Sequence, residues 1–311
     1  MIKLSVIIAV YNAEDYINVC LTSIQSQTLK NIEILCIDDC STDDSLSILK
    51  SIKKEDNRIR LFQNQENLGA GPSRNLGLEN ATGDFICFMD PDDLYVSNTC
   101  LESLYNAVIE NNVDAAAGNL LEFYGDDFTK AKDWGKCTFT GNGINTYSDY
   151  PFSIGYTRFI FRRLTIEKIG AKFPSYRRYQ DPVWFVSVMT KIKNFYALNT
   201  PVYLYRKNYS TIKWTLGKID SVLKGKAENL KIFRENNYPN HYVREKRELN
   251  NFIAMVIFKT FFSLNFIPTL TVIKKHNDSS QDIDYGLKKI FHLLKYGLIL
   301  IKMKISKVVS F

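Results

Sequence analysis

At 311 residues, with 45% apolar and 23% charged content, the chain can bury one large core or two small ones, and bulk disorder is excluded. Its net charge of +7 is unevenly divided: residues 1–90 hold eight Lys or Arg against thirteen Asp or Glu, a balance of −5 that leaves +12 behind them. That basic remainder carries no nucleic-acid reader motif, so no nucleic-acid partner is expected.

The first element is Leu4-Ser5-Val6-Ile7-Ile8-Ala9-Val10, a near-continuous apolar run of the kind found in strands covered on both faces. It is too short for a signal sequence, so a cytoplasmic protein is expected. Residues 13–27 predict a helix, with Tyr16, Ile17, Cys20, Leu21 and Ile24 on one stripe. Residues 32–37 predict a second strand that ends in Asp38 and Asp39. A helix buried through Leu46, Ile48, Leu49 and Ile52 follows, capped by Ser41, Thr42 or Asp43. A third strand over 60–63 leads into a loop that becomes helical near Pro72. The fourth, Phe85-Ile86-Cys87-Phe88-Met89, runs into Asp90-Pro91-Asp92-Asp93, three carboxylates in four residues that repel unless water or a cation offsets them.

Strand and helix alternating without tight hairpins predict an α/β fold built on a doubly wound, mostly parallel sheet, whose ligands bind at the carboxyl ends of the strands. Those ends carry Tyr11 and Asn12, Asp38 and Asp39, the loop from Asn67 to Arg74, and the acidic turn. Every polar cluster of the first hundred residues therefore falls on one rim. The six cysteines form no CxxC pair, and the three histidines lie far downstream, so buried free thiols are expected rather than a zinc site.

Further on, residues 99–109 predict a helix, 113–121 a strand, and 122–150 an excursion of loops and short strands. Residues 151–170 turn basic and aromatic. In Tyr176-Arg177-Arg178-Tyr179-Gln180-Asp181-Pro182, Asp181 reads locally as a helix cap with Pro182 behind it, and spacing alone assigns it no chemistry. Residues 240–264 predict one long helix. The greasy window 252–273 is interrupted by Lys259, Asn265 and Pro268, which argues for a core or dimer helix over a membrane span. Residues 285–311 hold six lysines and no acid, interleaved with apolar residues at helical spacing, a pattern suited either to an anionic membrane surface or to covering the core.

Four of these motifs, in order, resemble glycosyltransferase family two with its GT-A fold: Ser5 to Asn12, Ile37 to Asp43, Asn67-Leu68-Gly69 with Ser73-Arg74-Asn75-Leu76-Gly77, and Phe88 to Asp93. The resemblance covers roughly residues 1–212. It implies a catalytic domain over 1–215, with a nucleotide-binding half over 1–100 and an acceptor-binding half over 101–215, followed by a helical region over 216–311 that associates with membrane or pairs two copies. It implies a nucleotide-sugar donor, most often a UDP-sugar, held by Val10, Tyr11, Asn12, Asp39, Arg74 and Asp90, with Tyr11 on the base and Asp39 on the uracil imide. Asp92, with Asp90, would hold Mn2+ or Mg2+. Asp181 would be the base that takes a proton from a saccharide or glycolipid acceptor, and the reaction would invert the anomeric carbon. Gln180 stands where the family usually has Glu. Tyr203-Leu204-Tyr205-Arg206-Lys207 resembles a segment that closes over the diphosphate, so that Arg206 or Lys207 would contact phosphate.

The implied function is an inverting transferase of bacterial lipooligosaccharide, capsule or related polysaccharide synthesis, at the inner face of the cytoplasmic membrane. Asp93 reads as a cap for the helix after it. A sugar nucleotidyltransferase is the alternative within the same fold neighbourhood, but Val10-Tyr11-Asn12-Ala13 stands where its Gly-rich triphosphate loop belongs. A non-catalytic glycan-binding subunit is the other, and the intact Asp90, Asp92 and Asp181 argue against it.

Overall fold

The first apolar run forms β1 (Leu4–Val10), and its alternation explains why both faces are greasy: Val6, Ile8 and Val10 enter one core and Ile7 the other. The computed structural model describes residues 2–135, 137–150, 152–207, 213–260 and 266–279. After β1 come α1 (Ile17–Gln25), β2 (Ile32–Asp38), α2 (Ser45–Glu55), β3 (Ile59–Gln63), α3 (Ala70–Asn80) and β4 (Phe85–Met89). The chain continues through β5 (Leu94–Tyr95), α4 (Cys100–Glu110), β6 (Ala115–Tyr124), β7 (Lys132–Asp133), β8 (Gly143–Thr146), β9 (Phe159–Arg162), α5 (Arg163–Ile169), α6 (Gln180–Ile192) and β10 (Asn194–Lys207). Three helices close the described chain: α7 (Leu216–Glu235), α8 (Pro239–Thr260) and α9 (Phe266–Ser279).

One sheet runs through the molecule in the order β3-β2-β1-β4-β9-β6-β10-β5, with β7 and β8 beside β6 and β10. The strands β3, β2, β1 and β4 are parallel, as expected. Beyond them the sheet is mixed, because β9 runs antiparallel to both β4 and β6, while β6 and β10 are parallel. The helices α1 and α4 bury Ile17, Cys20, Leu21, Leu101, Leu104 and Val108 on one face of the sheet. Trp184 and Phe185 of α6 pack with Phe88 and Phe159 on the other. On that second face α3 lies so close to the sheet that a Cβ on Gly77 would come within 2.4 Å of Ile7 Cγ2.

The last three helices share a third core, built on Leu223, Leu230, Leu249, Ile253, Val256 and Ile273. The helix expected over 240–264 is observed as Pro239–Thr260. No helix among the described residues is long and apolar enough to cross a membrane. Residues 285–311, and with them the expected basic amphipathic helix, lie outside the described residues. All six cysteines are free thiols, five of them buried.

Candidate active site

The parallel strands deliver their carboxyl ends to one rim. At the end of β1, the Val10 carbonyl accepts the Asp39 N–H at 2.7 Å, holding the two strand ends together. Asn12, at a left-handed φ of 48°, stitches the same join: its Nδ2 donates to Thr42 Oγ1 at 3.2 Å and its Oδ1 accepts the Thr42 N–H at 2.8 Å. Tyr11 is left half-exposed at the mouth. Asp39 is buried and its carboxylate is committed to the loop after β3. One oxygen accepts Asn64 Nδ2 at 2.8 Å and the Leu68 N–H at 2.9 Å, and the other accepts the Gly69 N–H at 2.8 Å. This bond network fixes the Asn67–Gly69 loop, in which Gly69 takes φ 91°, a conformation that favours glycine.

From that loop α3 carries Arg74 inward, where its Nη2 donates to Asp90 Oδ1 at 2.7 Å and its guanidinium lies over the Tyr156 and Phe173 rings at 5.4 and 5.6 Å. Its Nη1 is buried with no hydrogen-bond partner among the described residues. Burial opposes the charge on Arg74, but Tyr156, Asp90 and Asp181 outweigh it and hold the guanidinium above its ordinary pKa.

The three carboxylates of the acidic turn separate. Asp90 is neutralised by Arg74. Asp93 is fully buried, accepting the Tyr203 hydroxyl at 2.8 Å and the Arg206 N–H at 2.7 Å. Burial first, and then the charges of Asp90 and Asp92, push its carboxyl well up. It is therefore not the helix cap expected from local sequence; α4 starts later, behind Thr99, and Asp93 instead ties the turn to β10. Asp92 is pushed up to about 6, by burial above all and by Asp90, and no other residue among those described hydrogen-bonds its carboxylate.

Asp181 sits in the first turn of α6, whose N-cap is Tyr179 at φ 73°, so the local reading of Asp181 as the cap is also replaced. Desolvation raises its pKa, Arg74 and Arg178 pull it down, Asp90 pushes it up, and the net direction is upward. Asp90, Arg74 and Asp181 meet on one cavity of about 470 Å3, together with Tyr156, Arg178 and Tyr205. Val10, Tyr11, Asn12, Asp39 and Asp92 belong to the adjoining rim and do not line that cavity.

Arg206 and Lys207 do not face it either. Arg206 is buried behind the acidic turn, donating to the Asp92 carbonyl at 2.8 Å, to Asp126 Oδ1 at 2.7 Å and to the Gly125 carbonyl, with its guanidinium between Tyr16 and Phe123. Lys207 pairs with Glu122 at 2.5 Å. In their place β10 offers Tyr205 to the cavity. The two-residue period of a strand carried that signal, since adjacent residues 205 and 206 point to opposite faces. Tyr156 and Trp134, which also line the cavity, had no such local mark, because Tyr156 opens a single 3-10 turn and Trp134 lies in a loop.

Among the described residues no group of three or more His, Cys, Asp or Glu side chains can hold a metal by itself. The donor set nonetheless fits a hard dication that shares its ligands with a substrate: Asp92 is desolvated, has no hydrogen-bonding side chain on its carboxylate among the described residues, and could offer an oxygen beside Asp90. Phosphate oxygens and water would have to complete such a site.

The sequence profile described as Glycosyl transferase family 2 matches residues 5–168. An uncharacterized glycosyltransferase of Haemophilus influenzae is 32% identical over 198 residues, 61% of this chain and 73% of the relative. Glycosyltransferase GlyA of Streptococcus pneumoniae is 44% identical over 121 residues, 39% of this chain, and the match spans only 17% of GlyA. Among solved structures, residues 1–349 of Staphylococcus aureus TarS in complex with UDP-GlcNAc superpose with a TM-score of 0.69 at 19% identity, covering 89% of this chain and 81% of that 1–349 chain. At that identity the likeness shows the shared fold.

Proposed function

The chain belongs to glycosyl transferase family 2, and we propose that it moves a hexose or N-acetylhexosamine from a UDP-sugar to a hydroxyl of a bacterial surface glycan, inverting the anomeric carbon. The observation that carries this reading is the meeting of Asp181 with the Arg74–Asp90 pair on one cavity, although the chain brings them from distant segments. The UDP-GlcNAc bound by TarS supports testing UDP-sugars first.

In the proposed reaction the acceptor oxygen attacks the anomeric carbon from the Asp181 side. As that bond forms, the bond from the same carbon to the diphosphate oxygen breaks, and its electron pair leaves on UDP. The acceptor proton passes to an Asp181 carboxylate oxygen, which must be ionised beforehand. Burial raises its pKa and so strengthens it as a base, while Arg74 and Arg178 favour its ionised form. Tyr11 would stack on the base at the open mouth of the rim. Asp92, with the free oxygen of Asp90, would hold Mn2+ or Mg2+, whose chemistry is to neutralise the diphosphate charge as a Lewis acid.

We assign 1–215 to catalysis and 216–311 to a helical region whose basic end, 285–311, contacts an anionic membrane face where a lipid-carried acceptor would be presented. The test is UDP release from a panel of UDP-sugars with Mn2+. Asp181→Asn is expected to lower turnover about a hundredfold or more at unchanged donor affinity. Equal loss of affinity and turnover would make Asp181 a structural residue and overturn the reading.

A further inference from the structure

Tyr179 enters α6 at φ 73° and ψ 16°, in the left-handed region that a bulky non-glycine residue rarely occupies, and its side chain makes no cap. Something outside the helix must hold it there. Its hydroxyl donates to Glu245 Oε1 at 2.7 Å and accepts from Lys226 Nζ at 2.9 Å. Lys226 on α7 and Glu245 on α8 are themselves buried and paired at 3.2 Å. Ser153 and Asn229 donate to Glu245 at 3.3 and 3.5 Å, and Glu248, held by Arg244 at 3.0 Å, lies 3.5 Å from Lys226. Against the Tyr179 ring α7 presents Gly225, where a Cβ would lie 2.6 Å from Tyr179 Cδ1 and 3.1 Å from Val183 Cγ2.

A buried ion pair is weak evidence for stability, since apolar side chains of similar volume often serve as well. Its location is the informative feature: it grips the residue two before Asp181. We propose that the buried Lys226–Glu245 pair, through the Tyr179 hydroxyl and the bare face of Gly225, positions the first turn of α6 and with it the carboxylate of Asp181, so that the carboxyl-terminal helices set the geometry of the base. The inference rests on the reading of Asp181 as that base. Lys226, Glu245, Tyr179 and Gly225 are thus positioning residues; Tyr179 also lines the cavity, but its hydroxyl is held by the ion pair.

The experiment compares wild type, Tyr179→Phe, Lys226→Met/Glu245→Leu and Asp181→Asn, using UDP release from the UDP-sugar that wild type hydrolyses fastest with Mn2+, from pH 5 to 9. Both positioning variants should lower kcat at least tenfold with donor KM within twofold. A loosened, better-solvated Asp181 should also move the acidic limb of kcat to lower pH, toward the ordinary carboxylate range. The groups facing the two sites are Lys226, Asn229, Arg244, Glu248, Ser153 and Tyr147 around Glu245, and Arg74, Asp90, Arg178 and Tyr156 around Asp181. All of them are retained in Tyr179→Phe, so a shift in that variant reports the clamp. If the double variant unfolds, Tyr179→Phe, which removes one oxygen atom, carries the test.

An unchanged kcat and limb in Tyr179→Phe would overturn the inference. Asp181→Asn turning over like wild type would instead overturn the base reading on which it rests. If wild type hydrolyses no UDP-sugar, the transferase reading fails, and hydrogen exchange at the Trp184 and Phe185 amides decides: faster exchange in Tyr179→Phe with α8 unchanged supports the clamp, and equal exchange rejects it.

Discussion

Asp90, Asp92 and Asp93 share a turn but not an environment, because Arg74 faces the first, Tyr203 and the Arg206 N–H face the third, and no described side chain faces the second with a hydrogen bond. A carboxyl raised from an ordinary 3.8 to about 6 binds more protons folded than unfolded between those values, so it lowers stability as pH rises through that window. At neutral pH the cost is about 3 kcal/mol, from ~1.4 kcal/mol per pKa unit. Asp92→Asn is therefore expected to raise the melting temperature of the metal-free protein at pH 7.5 by a few degrees and to leave it nearly unchanged at pH 4. Thermal melts at the two pH values check this; a lower melting temperature at pH 7.5 would mean that the Asp92 charge is satisfied in the fold. The local sequence showed the crowding of these carboxylates but not their separation, since the partners of Asp93 come 110 and 113 residues later.

At the scale of elements, β1 to β4 were legible because each is an apolar run with a polar end, and the helices between them have one apolar stripe. In the other half only β6 was legible, as the strand expected over 113–121, and its partners were not. The strand β5 is two residues long, β9 is inserted between two strands antiparallel to it, and β10 changes register against β6 around Pro201. Such pairings depend on long-range contacts that no local period records. The break in β10 also sets a close approach: a Cβ on Gly118 of β6 would lie 2.4 Å from Val202 Cγ1 and 2.8 Å from the Thr200 carbonyl. Gly118→Ala must push β10 away and is expected to cost about 1–3 kcal/mol, visible in urea unfolding. Because the same strand carries Tyr203 and Tyr205, kcat should fall with it. A variant as stable as wild type would show that β10 yields there without strain.

Across the whole molecule, the sheet gathers the polar strand ends on one rim, and the three last helices reach the same site from behind through Tyr179. The rim was readable from strand ends alone. The contribution of α7 and α8 was not, because Lys226 and Glu245 look like solvated helix residues until the fold buries them. The basic end of the chain has a separate role in this account. The 311-residue chain should sediment with vesicles containing anionic lipid, less so in high salt, and a chain ending at residue 284 should lose that binding while keeping UDP-sugar hydrolysis. Vesicle binding that survives the truncation would move the contact elsewhere. The central claim is the division of labour between two carboxylates, Asp92 for the cation and the donor diphosphate, Asp181 for the proton. Calorimetric titration of UDP, with and without Mn2+, into wild type, Asp92→Asn and Asp181→Asn tests it most directly. Mn2+ should tighten UDP binding about tenfold or more in wild type and in Asp181→Asn, and this gain, ~1.4 kcal/mol or more, should vanish in Asp92→Asn. A Mn2+ effect that persists in Asp92→Asn, or that is lost equally in both variants, would contradict it.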